Sequence, residues 1–455
     1  MRTDDVGHGR ARRGEADPQG SSVVHRVALL LLAAAVGLAG CGGPSVTMNQ
    51  APDAFEEEEA RLERRLSNTP DDATALRDLG AIYLRTDRPS QAYDALKKAY
   101  AQRPEDPKVQ FYLGLASEQV GRRQAALKLF RQFDEVPPDS KYRPLMEGRY
   151  EWLTRQQAER MAQRLVAQEQ ERPGRSASPD VVAVVPMQYQ GGNEQYAALG
   201  RGLAEMFTTD LSNVGRLQVV ERVRLQALLD ELTLAQSEYV DASTTPQVGQ
   251  LLGAGRLVGG SYLVVDEEEI RLQVTLVDAA TGERVPQLEN QRADLNDLFD
   301  LQTRVTFSIV DQLGVDLTAQ ERAAIQEVPT QSLQAFLAYS RGLMEEDRGN
   351  YGRAARYYRR AQQADPGFRE AGQRRRKARS VQAGGGSPSN ALTSEARDDP
   401  LRQTGASIDL VDQRLRSMGV GAAGDDDRDP AQEAGDAEAA TELDDPPDPP
   451  GEGGG

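Results

Sequence analysis

The stretch LVGGSYLVVDEEEIRLQVTLV, residues 257–277, decides the fold of the central part of this chain. Two runs rich in branched apolar residues, 257–265 and 270–277, flank four consecutive acidic residues. Such runs favour β-strands, and a short polar segment between two of them favours a turn. We therefore predict a β-hairpin with its tip at residues 266–269.

The residues before this hairpin alternate between strand and helix patterns. Residues 181–185 form a continuous apolar run, which is typical of a strand covered on both faces. Apolar residues then recur at helical spacing over 196–211, followed by a short strand over 217–220 and a leucine-rich helix over 225–232. The order predicts a sheet with helices packed on it.

The residues on both sides of the hairpin complete the domain. Thr245 followed by proline predicts the start of a further helix, because threonine caps helices and proline suits their first turn. After the hairpin, a turn leads into a strand from Glu283, and residues 298–313 have the apolar spacing of a closing helix. We predict an α/β (α+β) mixed-sheet domain over residues 180–327.

This region contains an ordered series of short motifs: Val219-Val220-Glu221-Arg222, Leu251-Leu252-Gly253-Ala254, Gly260-Ser261-Tyr262, and Leu276-Val277-Asp278 with Thr281-Gly282-Glu283. The series resembles the periplasmic domain of CsgG, the curli-secretion lipoprotein, together with HfaB holdfast proteins and, more loosely, TolB amino-terminal domains. The resemblance covers residues 180–315, and it implies a CsgG/TolB-N-like fold and a role in the bacterial envelope. The motif residues, which we interpret as structural, are Glu221, Arg222, Gly260, Ser261, Asp278, Thr281, Gly282 and Glu283.

The chain departs from this family at the places where the channel members insert membrane hairpins. The first place holds only residues 266–269, and the sequence after Glu283 is short and charged. A membrane-spanning strand needs ~9–11 residues with one apolar face. We therefore predict that this protein does not itself form a barrel, and we keep a CsgG-type channel subunit and a TolB-like sensor as alternatives.

A second pattern recurs at a spacing of 34 residues, between Leu79-Gly80 and Leu113-Gly114. It is similar to tetratricopeptide (TPR) repeats, in which two helices cross at small residues. Stacked repeats form a groove that binds a protein segment, whereas so short an array can also serve only as a packing spacer. The positions predicted to pack these repeats are Leu79, Gly80, Tyr83, Ala92, Leu113, Gly114, Ala126 and Phe130.

A third unit of the same pattern lies far along the chain, with Gly342, Ala354 and Tyr358 at matching offsets. Isolated repeats bury their faces poorly, so we expect this unit to pack on the middle domain and a helix over 150–168 to cap the first two. The basic run 374–379 is expected to be solvated.

The N-terminus has the features of a lipoprotein signal peptide. Residues 27–38 are apolar or small and follow several arginines, and Leu-Ala-Gly precedes Cys41. This ending resembles the bacterial lipobox, which implies cleavage before Cys41 and its lipidation. Cys41 is the only cysteine in the chain, so it has no disulfide partner within it. We expect a periplasm-facing outer-membrane protein held by lipid.

Composition argues against catalysis and nucleic-acid binding. The two histidines, His8 and His25, lie in the predicted signal peptide, so the mature chain has no histidine and no free thiol for common catalytic or zinc sites. We expect no enzyme activity, no cofactor and no metal. The net charge is −17, and residues 417–455 contain twelve acidic residues and one basic residue, which argues against nucleic-acid binding.

Together these patterns predict a non-catalytic scaffold for envelope biogenesis or curli-like export, with protein clients in the TPR groove and possible self-association through the CsgG-like domain. The predicted organisation is a signal peptide (1–40), a linker (41–60), TPR helices (61–172), a linker (173–179), the CsgG-like domain (180–327), TPR-like helices (328–380) and a disordered acidic tail (381–455).

Replacing Cys41 by serine tests the predicted anchor. Without the thiol no lipid can be attached, so we expect Cys41→Ser to lose fractionation with membranes and incorporation of labelled fatty acid. Unchanged fractionation of the variant would refute the anchoring prediction.

Overall fold

The fold is known from a computed structural model, which describes residues 50–171, 177–233, 244–284 and 291–397. The predicted signal peptide, Cys41, most of the linker 173–179 and the acidic residues beyond 397 lie outside these described residues.

Six α-helices of the described residues precede the first strand, and the sixth is much longer than the others. Asp72 and Asp106 each start a helix by accepting hydrogen bonds from backbone N–H groups two and three residues on, at 2.9–3.4 Å. The helices are α1 (Gln50–Asn68), α2 (Ala73–Arg85), α3 (Pro89–Gln102), α4 (Pro107–Gln119), α5 (Arg123–Phe130) and α6 (Tyr142–Glu171).

Helix α1 occupies part of the segment that we predicted as a linker over 41–60. It begins at Gln50, and its residues Phe55 and Leu62 pack against the core formed by α2 to α6. The linker prediction is therefore wrong from residue 50 onward, because these apolar residues are covered by the neighbouring helices.

The two predicted repeats each form a pair of helices that cross at a glycine. A methyl group placed on Gly80 would lie 2.4 Å from Leu96 Cγ, and one on Gly114 would lie 2.5 Å from the Phe130 ring. Only glycine permits so close an approach. Tyr83 lies buried in the same core.

The middle region forms one mixed sheet, in agreement with the prediction. The strand order is β3-β1-β4-β5-β6, with β2 also pairing with β4; β1, β2 and β3 run parallel to their partners, and β4, β5 and β6 pair antiparallel. The strands are β1 (Ser178–Val184), β2 (Gln188–Tyr189), β3 (Gln218–Val219), β4 (Ala254–Val265), β5 (Glu269–Asp278) and β6 (Gln291–Asp294).

The predicted hairpin is confirmed. Strands β4 and β5 pair from Arg256↔Asp278 to Val265↔Glu269, so only residues 266–268 connect them. The strand predicted from Glu283 is reduced to one bridge between Val277 and Arg284, and residues 285–290 lie outside the described residues.

Both faces of the sheet are covered, as residues 181–185 predicted. Val182 and Val184 face one layer of helices, whereas Ala183 and Val185 belong to a separate core on the other face. The first layer contains α7 (Leu199–Ser212) and α10 (Leu298–Gln312), and the second contains α8 (Arg222–Leu232) and α9 (Thr245–Leu252).

One short helix and four longer ones follow α10 among the described residues. As expected, the third repeat packs on the middle domain, where Phe336 and Tyr358 share the core of α7 and α10. Its own helices cross at Gly342, where a methyl group would lie 2.4 Å from the Tyr358 ring. The elements are α11 (Ala319–Ile325), α12 (Leu333–Asp347), α13 (Tyr351–Ala364), α14 (Arg369–Gly384) and α15 (Pro388–Arg397).

The start of the predicted disordered tail, 381–455, is instead helical up to residue 397. Helix α14 continues to Gly384, and α15 follows with Ala391 and Leu392 buried in the core of the N-terminal helices. The prediction rested on the average composition of residues 381–455, so it missed these few apolar positions. They gain a packing partner only in the tertiary structure.

Helices α6 and α14 come from distant parts of the chain and pack with their backbones in close contact. A methyl group on Gly148 would lie 1.8 Å from the backbone oxygen of Ser380, and one on Gly384 would lie 2.2 Å from that of Leu145. The predicted capping helix over 150–168 is thus part of a longer helix that joins the third repeat to the first two.

Replacing Gly148 by alanine should disrupt this contact. The new methyl group meets backbone rather than a movable side chain, so we expect the free energy of unfolding to fall by about 1–3 kcal/mol. Gly352→Ala in helix α13 is the control, because its methyl group would lie 3.7 Å from its nearest neighbour, the Gln382 side chain of α14. Equal stabilities of the two variants in chemical denaturation would contradict the expected packing.

Candidate functional site

The candidate binding groove is the face of helices α2, α4 and α6 on which α15 lies. At its centre the Glu395 side chain is 1% exposed. Arg85 Nη2 lies 2.7 Å from Glu395 Oε2, and Lys141 Nζ lies 2.9 Å from Oε1. The Tyr142 hydroxyl donates to Oε1 at 3.0 Å. The groove therefore binds a carboxylate through two cations and a phenol.

These contacts also fix the ionisation of the cluster. Burial opposes the charged form of Glu395, but Arg85 and Lys141 outweigh it and lower the pKa of the carboxyl overall. Arg85 Nη2 further donates to the Tyr112 hydroxyl at 3.1 Å. Burial is the largest cause that raises the pKa of Tyr112, so this phenol stays neutral.

Apolar contacts complete the groove on either side of Glu395. Ala391 and Leu392 of α15 are 0% and 2% exposed and share a core with Phe111 and Met146. The Lys141 ammonium also donates to the backbone oxygen of Glu395 at 3.1 Å. The groove thus recognises a short helix by its apolar side, its backbone and one acidic side chain.

Sequence reasoning placed a binding groove on these repeats but missed the residues that bind α15. Glu395 lies in the segment that we predicted as a disordered tail, and it meets Arg85 only in the folded chain. One local signal could have indicated α15: Ser387 precedes a proline and accepts a hydrogen bond from the N–H of Asn390 at 3.2 Å. Serine at a cap followed by proline is a common helix start.

The predicted motif residues of the middle domain lie apart from this groove and in three separate places. Gly260 has a positive φ of 147°, and a methyl group there would lie 2.0 Å from the backbone oxygen of Gln273 on β5. Ser261 is buried on the same strand. The following Tyr262 donates to the backbone oxygen of Tyr196 at 2.6 Å, which fixes the loop before α7.

The second group of motif residues shapes the turn after β5. Asp278 Oδ1 accepts hydrogen bonds from the N–H groups of Ala280 at 2.9 Å and Thr281 at 3.1 Å. Gly282 supplies the positive φ of 73°, and the N–H of Glu283 donates to Thr281 Oγ1 at 3.1 Å. These contacts shape the turn itself, and the structural role of the motif stays a prediction.

The remaining motif residues, Glu221 and Arg222, begin helix α8. Glu221 is exposed at the cap position, whereas Arg222 enters a cluster of three arginines and three carboxylates. Arg222 contacts Asp347 closely and lies 3.0 Å from Glu346 Oε1. Arg374 lies 2.8 Å from the same oxygen.

This ion cluster joins the sheet domain to the C-terminal helices. Arg201, Glu205 and Arg222 come from α7 and α8, and the partners Glu346, Asp347 and Arg374 come from α12 and α14. Burial acts to raise the pKa of Glu346, but Arg374 and Arg222 reverse the effect and hold that pKa at about 2. The expectation that the run 374–379 is solvated is therefore wrong for Arg374.

A cavity of about 340 Å³ adjoins this cluster between α6, α8 and α14. Four of its charged lining residues, Arg222, Glu346, Asp347 and Arg374, are paired with one another. Buried ion pairs of this kind hold elements in register and have no free charge for a ligand.

Among the carboxylates in the described part of the chain, Asp210 is the one with a raised pKa. Burial raises it to about 6, although hydrogen bonds from Gln302 at 2.6 Å and Thr306 at 3.0 Å act in the opposite direction. Both partners lie on α10, so the contact ties α7 to α10. Among the described residues, no group of three or more His, Cys, Asp or Glu side chains could hold a metal ion.

The fold and these sites define a mixed-sheet α/β domain set within a helical scaffold, one face of which holds helix α15 of the same chain. Comparison with known proteins assigns the sheet part more closely. Residues 170–273 match the family model described as curli production assembly/transport component CsgG. This match begins at the end of α6 and covers β1 to the first half of β5.

One curated relative is the protein named "Putative adenylate cyclase 3" of Rhizobium meliloti (strain 1021). It is 26% identical over 202 residues, which are 43% of this chain and 32% of the relative. The chain therefore matches about a third of that protein's length. No helix in the described part of the chain is long and apolar enough to cross a membrane.

Neutralising Glu395 should release α15 from the groove. Glu395→Gln leaves Arg85 and Lys141 without their carboxylate, and because both cations are partly exposed we expect a cost of about 1–2 kcal/mol. Amide hydrogen exchange in α15 should then become roughly tenfold faster. Ser394→Ala, on the same helix, is the control; equal exchange in the two variants would rule out this role of the carboxylate.

Proposed function

We propose that this protein is a non-catalytic, lipid-anchored envelope protein that binds protein clients during assembly or export of a surface polymer. Its TPR-like groove binds the client, its CsgG-like domain assembles with itself or with partners, and Cys41 holds it at the periplasmic face of the outer membrane. It requires no cofactor and does not bind nucleic acid.

The observation that carries this proposal is the binding of α15 in the groove of α2, α4 and α6. A surface that buries a helix through Leu392 and pairs its Glu395 has the chemistry needed to bind a similar segment of another protein. The match of residues 170–273 to the CsgG family supports the envelope setting.

Opening the groove provides the test, because α15 competes with any client for the same contacts. We expect Glu395→Ala to increase recovery of an exported or envelope protein after cross-linking in cells, by about tenfold if the closed state dominates. Adding Arg85→Glu and Lys141→Glu should reverse the gain, since the opened groove then repels a carboxylate.

The outcome also distinguishes the alternatives. Equal recovery from all three proteins would contradict client binding in this groove. Membrane rings of the purified lipidated protein in electron micrographs would instead favour a CsgG-type channel subunit.

A second candidate is a sensor module, and the similarity to a protein named an adenylate cyclase is the observation that favours it. This candidate predicts that loss of the protein changes a cyclic-nucleotide signal and leaves export of surface polymers unchanged.

A further inference from the structure

A second groove lies between α5, the middle of α6 and the start of α8. Its volume is about 730 Å³. Among its lining residues Glu221 is acidic and six are basic. The basic residues are Arg123, Lys128, Arg131, Arg160, Arg164 and Arg224. We call this surface the basic groove.

The six cations have no carboxylate partner among the described residues. None of them forms an ion pair with the described residues, whereas Arg201, Arg222 and Arg374 in the neighbouring ion cluster are all paired. Arg160 and Arg164 also lie four residues apart on α6, a spacing at which like charges destabilise a helix. The basic groove thus concentrates uncompensated positive charge on a chain whose net charge is −17.

The floor of the basic groove is apolar. Leu153 and Ala158 are buried there, and Leu127 and Val223 are half-buried. Met161 is 46% exposed and is the one large apolar side chain that is exposed in the described part of the chain. A fitting ligand therefore combines several negative charges with small apolar groups.

The sequence contains such a segment near its C-terminus. Residues 425–445 have ten acidic residues and one basic residue, interspersed with alanines and Leu443. We propose that the basic groove binds this acidic segment of the same chain. The proposal does not depend on client binding in the α15 groove.

The length of the intervening chain is sufficient. Helix α15 packs near the start of α6, and the basic groove extends along α6 as far as Arg164. From Tyr142 to Arg164 the helix rises by about 33 Å, at ~1.5 Å per residue. The 27 residues between Arg397 and residue 425 can span up to about 90 Å. Because the segment is tethered, its effective concentration at the groove reaches the millimolar range, ~10⁻³ M.

Binding in cis would neutralise the basic groove in the absence of other anions. Contacts of this kind are electrostatic and partly exposed, so salt weakens them. The acidic segment would therefore keep anionic surfaces from binding to the basic groove. A more acidic partner would displace it.

The test uses the full chain with a photo-crosslinking amino acid in place of Met161. We expect adducts within one molecule that join position 161 to peptides from residues 425–445. Lys128→Glu with Arg131→Glu should lower their yield by about tenfold. Raising the salt from about 0.05 M to about 0.5 M should also lower it.

The control is Arg376→Glu with Arg379→Glu, which changes the net charge equally at two exposed residues of α14. Its adduct yield should equal that of the parent protein, and circular dichroism checks that both variants fold. Mixing isotope-labelled and unlabelled protein separates adducts within a molecule from those between molecules.

Three outcomes would overturn the proposal. These are the absence of adducts with residues 425–445, equal yields from the two double variants, and adducts found only between molecules or with another protein. Because none of these variants changes Arg85, Lys141 or Glu395, the result is independent of the client-binding test.

Discussion

The guanidinium of Arg149 is the interaction on which the arrangement of the helical parts depends. It is 0% exposed, and its Nη2 lies 2.6 Å and 2.5 Å from the two carboxylate oxygens of Glu118. Its Nη1 donates to the backbone oxygens of Gly384 and Gly386 at 3.2 Å and 2.7 Å. A buried charge is tolerated only when it is paired and hydrogen-bonded, so α4, α6 and the end of α14 must meet at this point.

The long helix α6 transmits this constraint to the sheet. Its first half, with Leu145 and Leu153, belongs to the core of the N-terminal helices. Its second half presents Ala158, Ala162 and Leu165 to the sheet face that contains Ala183. Once Arg149 fixes α6 against α14, the same rigid helix positions the middle domain, and the ion cluster around Arg222 and Arg374 forms at the remaining junction.

The use of charge differs between the junctions and the grooves. At the junctions each arginine meets a carboxylate within the fold, as Arg149 meets Glu118 and Arg374 meets Glu346. In the groove of α2, α4 and α6 the pairing involves a carboxylate from a helix at the far end of the chain. In the basic groove the cations have no described partner. The paired charges at the junctions hold the fold together, whereas the cations of the basic groove are available for recognition.

Elements with a local pattern were predictable from the sequence. The apolar run 181–185 becomes a strand covered on both faces, and the hairpin around 266–268 follows from two apolar runs that flank a polar tip. Gly80 and Gly114 recur at a spacing of 34 residues, and each lies at a close helix crossing that this spacing predicted. The turn at Asp278 was also predictable, since its hydrogen bonds join residues only two or three positions apart.

Contacts between distant residues were decided by the tertiary structure alone. Arg149 meets Gly384, and Arg85 meets Glu395, across more than two hundred residues of sequence. No sequence periodicity relates such positions. Each of these side chains is polar, so its own segment predicts exposure to solvent. The sequence by itself therefore determined the sheet, the helix pairs and the family resemblance. Packing of α6 against α14 determined which polar residues are buried, because burial of a charge depends on partners that only the folded chain brings together.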